Sequence, residues 1–175
     1  NEGGGNFKWT AKEIHEQSDK TFTKYMGTKA LFIQSLLDNS NRLTYLVTRE
    51  MDYTQHNGNN LTLSFYYITP SWNGDINTLN VMVGSSATGP WTKLWSSDGK
   101  DTPEWTEATV DLSNNINSPF YLAFVNVAGF GYCTGVDEMK ISVEVNSESR
   151  IEWSENIYKN VNIISKDGDW NNTDN

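Results

Sequence analysis

Acids and amides gather in four short stretches of this 175-residue chain: Ser71-Trp72-Asn73-Gly74-Asp75, Asp98-Gly99-Lys100-Asp101, the pair Asp137-Glu138, and Asp167-Gly168-Asp169. Calcium takes hard oxygen donors of this kind, so Asp137 and Glu138 stand as candidate metal ligands, although no stretch has the spacing of an EF-hand loop. Tight turns use the same Asn, Asp and Gly residues, and that reading stands beside the metal one at each loop. Trp72 offers a second chemistry. A sugar binds by laying its C–H face on a flat ring, with amides and carboxylates around the rim. Trp72, flanked by Asn73 and Asp75, fits that pattern, and Phe130 and Tyr132 of the Gly-rich loop Gly129-Phe130-Gly131-Tyr132 extend it. These five are the candidate ligand-binding residues. Trp95 and Trp105 lie inside strand patterns and read as core.

No catalytic residue is assigned. The chain has two histidines, His15 and His56, and neither a Gly-x-Ser-x-Gly elbow nor a His-x-x-x-His pair accompanies them. Both read as solvated surface residues. Paired carboxylates for glycoside hydrolysis stay open as a rival, because such acids come from separated strands and 22 Asp and Glu are available. Gly129-Phe130-Gly131 has no following Gly-Lys-Thr, so it is not a phosphate-cradling loop. A single cysteine, Cys133, rules out an internal disulfide and reads as a small buried hydrophobe.

The elements that must position these residues are strands. From Lys29 onward, β-branched and aromatic runs alternate with Asn, Gly, Asp, Ser and Pro clusters, the rhythm of an all-β sandwich. Strands are predicted at Lys29–Gln34, Leu43–Met51, Asn60–Thr69, Thr78–Gly84, Trp91–Ser96, Trp105–Leu112, Phe120–Val127 and Asp137–Val145. Period-two alternation puts Leu63, Phe65, Val81, Val83, Leu122, Phe124, Ile141 and Val143 in the core. The turn-forming run Gly84 to Pro90 predicts a hairpin. Thr10 to Lys20, with Thr10 as a cap, is the one place where a helix is considered.

Composition bounds the rest. At 37% hydrophobic and 13% aromatic residues, the chain has the means for one folded core. Thirteen basic against 22 acidic residues leave a net charge of −9, which repels phosphate backbones and excludes nucleic acid as a partner. No run approaches the apolar length of a membrane span. Residues 1–28 read as a leader and first segment that is part of the domain, 29–145 as the sandwich, and 146–175 as an extension that adds edge strands or opens a further unit. Asn1-Glu2-Gly3-Gly4-Gly5 reads as a flexible leader of the kind that comes after a removed signal or a lipid anchor.

The order and spacing of Leu61-Thr62-Leu63-Ser64-Phe65-Tyr66-Tyr67, Leu79 to Ser85, Trp105 with Val110-Asp111-Leu112-Ser113, Tyr121-Leu122-Ala123-Phe124 and Gly129 to Ile141 carry a family resemblance. The chain resembles the cleaved-adhesin and choice-of-anchor J jelly rolls of bacterial surface proteins, which are similar to the animal MAM domains. The most specific segment is Gly135-Val136-Asp137-Glu138, where the family shows Gly-Ile-Asp-Asp. The resemblance implies a two-sheet antiparallel jelly-roll sandwich of concanavalin- or MAM-like type. It further implies a secreted or surface-anchored bacterial protein, at the outer membrane or as a lipoprotein, and calcium at Asp137 tying the Gly-rich loop to the N-terminal strands. The function it implies is a non-catalytic adhesion or carbohydrate-binding accessory module whose partner is a glycan or a surface protein. A jelly-roll glycoside hydrolase or lyase and a structural spacer domain are the alternatives.

Overall fold

The computed structural model describes residues 8–34, 40–145, 150–156, 161–164 and 170–171. In chain order the strands are β1 (Thr10–Lys12), β2 (Ile14–Gln17), β3 (Lys20–Thr23), β4 (Ala30–Gln34), β5 (Leu43–Thr48), β6 (Asn60–Thr69) and β7 (Thr78–Gly84). They continue with β8 (Trp91–Ser96), β9 (Thr102–Asp111), β10 (Tyr121–Val127), β11 (Cys133–Val145), β12 (Arg150–Asn156), β13 (Val161–Ile164) and β14 (Trp170–Asn171). The front sheet runs β1-β4-β11-β6-β9, with β12 pairing the far half of β11; the back sheet runs β14-β13-β5-β10-β7-β8. Every pairing described is antiparallel, so the fold is a two-sheet β-sandwich of jelly-roll type.

Period two explains the layers. On β6, Leu61, Leu63, Phe65 and Tyr67 face the opposite sheet, while Thr62, Ser64 and Tyr66 face out. The eight core positions read from the sequence are all buried. Each such side chain contributes about 1.5–3 kcal/mol of burial, which is what holds one sheet on the other. β4 is buried at four consecutive positions, Ala30 to Ile33, because its outer face is covered as well.

That cover is the main departure from the expected layout. Thr10 to Lys20 is not helical: β1 pairs β4, and β2 and β3 form a separate hairpin. The hairpin alternates exposed Ile14 and Glu16 with buried His15 and Gln17, a period of two that a helix cannot give. His15 is therefore not a solvated residue; only 1% of it is exposed. It lies under the hairpin, its ring stacked on Phe32 at 5.2 Å and 12°.

One irregularity sets the direction of the site residues. Opposite β6, the register of β11 shifts between Asp137 and Lys140, and Glu138 sits at φ 48. Such a bulge inserts a residue and reverses the facing of the strand beyond it. Val136 before it and Met139, Ile141 and Val143 after it all join the inner core, so Asp137 is left facing outward beneath the N-terminal segment.

Candidate functional site

The loops carrying the candidate residues meet at one end of the sandwich. Trp72 and Asp75 exchange backbone hydrogen bonds at 2.9 Å in both directions, closing a two-residue turn with Asn73 at φ 51 and Gly74 at φ 94. Asn-Gly is suited to this turn because both central residues need positive φ. Asn73 and Asp75 are exposed; Trp72 is half-buried, its ring tilted against Phe130 at 5.2 Å.

Phe130 is held in place by its neighbours. The Asn77 Oδ1 accepts hydrogen bonds from the amides of Gly129 and Gly131 at 3.0 and 3.1 Å, and a Cβ at Gly129 would overlap the Ile76 carbonyl. Both glycines are required for that approach, and Phe130 between them is forced to φ 67, a region costly for a bulky residue. The next residue, Tyr132, donates its amide to the Pro70 carbonyl at 3.1 Å, which fastens this loop to the end of β6.

Beside this pair lies a cleft of about 420 Å³ between the N-terminal hairpin, the end of β6 and the start of β9. Phe22, Trp105 and Tyr132 supply its rings, Asp101 and Glu104 its acids and Lys20 a base. Asp101 accepts the Ser71 amide and hydroxyl at 2.9 and 2.8 Å, so the loop leading to Trp72 also forms the rim of the cleft. Tyr132 donates its hydroxyl to Asp19 at 2.9 Å; that bond holds the Asp19 carboxyl below its ordinary value and raises the phenol. The Trp105 indole donates to the Thr23 carbonyl at 2.9 Å and meets Phe32 edge-on at 5.9 Å. Close by, Tyr25 stacks on Tyr66 at 3.9 Å, and its hydrogen bond pushes the Tyr66 phenol up to about 12.

Sequence reasoning points to Trp72, Asn73, Asp75, Phe130 and Tyr132, and the structure brings Trp72 and Phe130 into contact and places Tyr132 in the cleft wall. The cleft adds Phe22 and Glu104, which sequence reasoning leaves out, Asp101, which it names only within an acidic stretch, and Trp105, which it reads as core. Trp105 is not core: it is half-buried in a satellite cluster with Ala30, Phe32, Ile68 and Cys133 on the outer face of the front sheet. Counting back from buried Val110 and Ala108 in twos puts residue 105 outside, a signal present in the sequence. Trp95 does pack on the inner core, against Phe65 and Tyr67. Cys133 is fully buried, and burial pushes its thiol well above the ordinary range.

Asp137 has one carboxylate oxygen on the amides of Tyr25 and Met26, at 2.8 and 3.0 Å, and the other on the amide of Glu138 at 2.7 Å. These are charge-assisted bonds, short and strong. They tie the segment after β3 to the last front-sheet strand, the connection for which calcium is considered. Among the described residues no three His, Cys, Asp or Glu side chains stand together as a metal cluster. A cation at Asp137 would compete with three amide donors. The acidic stretch Asp167-Gly168-Asp169 lies outside the described residues.

Among the described residues, no helix is long and apolar enough to cross a membrane. The family model for the MAM domain, meprin/A5/mu, matches residues 1–150. The K1 cleaved adhesin domain of Lys-gingipain from Porphyromonas gingivalis W83 is a similar solved structure, 18% identical, covering 70% of this chain and 78% of that one with a TM-score of 0.48. The K2 cleaved adhesin domain of Lys-gingipain is 16% identical and covers 79% of this chain and 92% of that one at 0.49. A xylan-binding domain from CBM 22 is 16% identical, with coverages of 79% and 87% and a TM-score of 0.44. No curated protein matches the sequence.

Proposed function

We propose, from the premise that this chain belongs to the MAM domain family, that it is a non-catalytic binding module whose ligand is a glycan seated in the cleft of Phe22, Trp105 and Tyr132. The carrying observation is the cleft itself: three rings on its walls, with Asp101, Glu104 and Lys20 around them. Ring faces supply apolar contact for sugar C–H groups, and charged rim groups hydrogen-bond hydroxyls. Trp72 and Phe130 extend the apolar surface past Ser71. Asp101 is committed to Ser71, which favours a rim that orients a ligand over a free pair of acids that would cleave it. On this reading the module belongs to a secreted or surface-anchored bacterial protein, where extracellular glycans are met.

A glycan array followed by titration of the best binder tests the reading. Lys20→Ala and Glu104→Gln alter exposed rim residues. Each should weaken binding about 10-fold or more, the order of one hydrogen bond to a charged group, while leaving the fold intact. Unchanged affinity in both variants would remove the cleft as the site. Release of reducing sugar from a bound glycan would overturn the non-catalytic half of the proposal.

A further inference from the structure

The β2–β3 hairpin forms one wall of the cleft through Lys20, Thr21, Phe22 and Thr23. It is laid over the outer face of the front sheet, and on its underside Phe22 and His15 are cross-strand neighbours. His15 is 1% exposed, yet neither ring nitrogen has a hydrogen-bond partner. Its surroundings are aromatic: Phe32 of β4 at 5.2 Å and Phe22 of β3 at 6.4 Å, both stacked. Those rings belong to the cluster that also holds Cys133 of β11 and Trp105 of β9. Burying a polar ring without partners is costly, and burying it charged costs far more.

We propose that this hairpin is a pH-operated cover, held shut while His15 is neutral and lifted when its imidazole takes a proton. The charged groups nearby do not rescue an imidazolium. Burial, with added repulsion from Lys12 on β1, lowers the His15 pKa from 6.5 to about 4. Of the other ionisable groups, Glu16 and Lys20 on the hairpin are exposed to solvent, and Glu13, Asp19 and Asp137 fasten the hairpin to its seat. Glu13 pairs with Lys24 at 2.9 Å at the base, Asp19 holds Tyr132 at the tip, and Asp137 of β11 holds the amides of Tyr25 and Met26. These fastenings are local, so the hairpin has the means to open while the sandwich core stays closed.

The sign comes from linkage. The open state binds a proton at the ordinary histidine value, and the closed state only near 4. The closed state is therefore fully stable above 6.5 and loses stability as the pH falls toward about 4. Between about pH 7.5 and about pH 5, a range above the usual carboxylate values, the open-to-closed ratio rises roughly 25-fold. Lifting the hairpin removes Phe22 and Lys20 from the cleft. If the glycan reading holds, ligand is then released in mild acid; the switch itself does not depend on that reading.

Amide hydrogen exchange of the free protein, expressed as protection factors, tests the switch directly. Protection of the 14–23 amides should lie well below that of the β6 and β10 amides at both pH values and should fall roughly 25-fold from about pH 7.5 to about pH 5, and His15→Phe should flatten the response. A flat wild-type profile, or an equal fall in His15→Phe, overturns the proposal. The wild-type imidazole resonances give a check that needs no variant: titration of His15 at its ordinary value in the folded protein would refute it. Glycan titration at both pH values separates the two readings. If the hairpin opens and no glycan binds at either pH, the cleft proposal fails and the switch stands. If a glycan binds equally well at both, the hairpin is not a cover on that site.

Discussion

The two sheets of this sandwich bury their outer faces by different means. The back sheet does so with its own side chains: Val47, Ala123 and Val125 are fully buried beneath half-buried Tyr45, Met82, Trp91 and Tyr121, all from strands of that sheet or its pairings. The front sheet uses a separate piece of chain, the β2–β3 hairpin and the segment after it, over Ala30, Phe32, Ile68 and Cys133. A cover built from a sheet's own side chains cannot leave without disrupting the strands that bear them. A cover hung on a few hydrogen bonds can, so the face that moves is the one with polar fastenings, and the cleft sits at its margin.

The sharpest way to break that contrast is Asp137→Ala. Three amides lose a buried charged acceptor, and the front cover loses its tie to β11. Thermal and denaturant unfolding should show a loss of about 3 kcal/mol, with the hairpin amides deprotected beyond the core. A loss below about 1 kcal/mol would mean that packing alone holds the cover.

The same divide separates the legible part of the molecule from the rest. The strands from Ala30 to Val145 and the inner core are readable because a half-buried strand prints its burial as period two, as Leu63, Phe65, Val81 and Val83 show. The front cover is not. In Ile14-His15-Glu16-Gln17 the apolar residue is the exposed one, at 49%, and the polar residues go under, so hydropathy points the wrong way. Trp105 misleads because an aromatic in a strand reads as core until its parity with Val110 is counted. Asp137 stands out as a special acid, but a sequence cannot say that its partners are backbone amides 111 and 112 residues away.

Gly84→Ala probes the other face. Trp91 lies against the backbone of Gly84 and Gly89; a Cβ at Gly84 would sit 2.8 Å from the indole and 2.9 Å from the Pro90 carbonyl. The indole would have to shift, at about 1–2 kcal/mol in overall stability. Hairpin exchange in the 14–23 segment should not change, since among the described residues the two faces share no cover. Deprotection of that segment would show that the faces are coupled.

Trp72→Ala should do less to stability and more to binding. The indole is half-buried against Phe130, and its turn is closed by backbone bonds that the substitution leaves in place. A loss under about 1 kcal/mol is expected, with weaker glycan binding if the apolar surface runs on from the cleft. A variant that unfolds readily would place Trp72 with the packing residues instead.

Calcium gives the smallest expected effect, and it distinguishes two ways of fastening the front cover. An ion bound only by the folded chain raises stability by mass action, about 2.7 kcal/mol at a hundredfold excess over its dissociation constant. At Asp137 the carboxylate already accepts from Tyr25, Met26 and Glu138, and no cluster of acids stands beside it among the described residues. The amide donors already make the tie, so added calcium and added chelator should leave the melting temperature of the wild-type protein unchanged. A rise with calcium that Asp137→Asn abolishes would show an ion at this carboxylate and make the cover metal-fastened. A rise that survives Asp137→Asn would place the ion elsewhere and leave the amide tie as the hinge on which the front face depends.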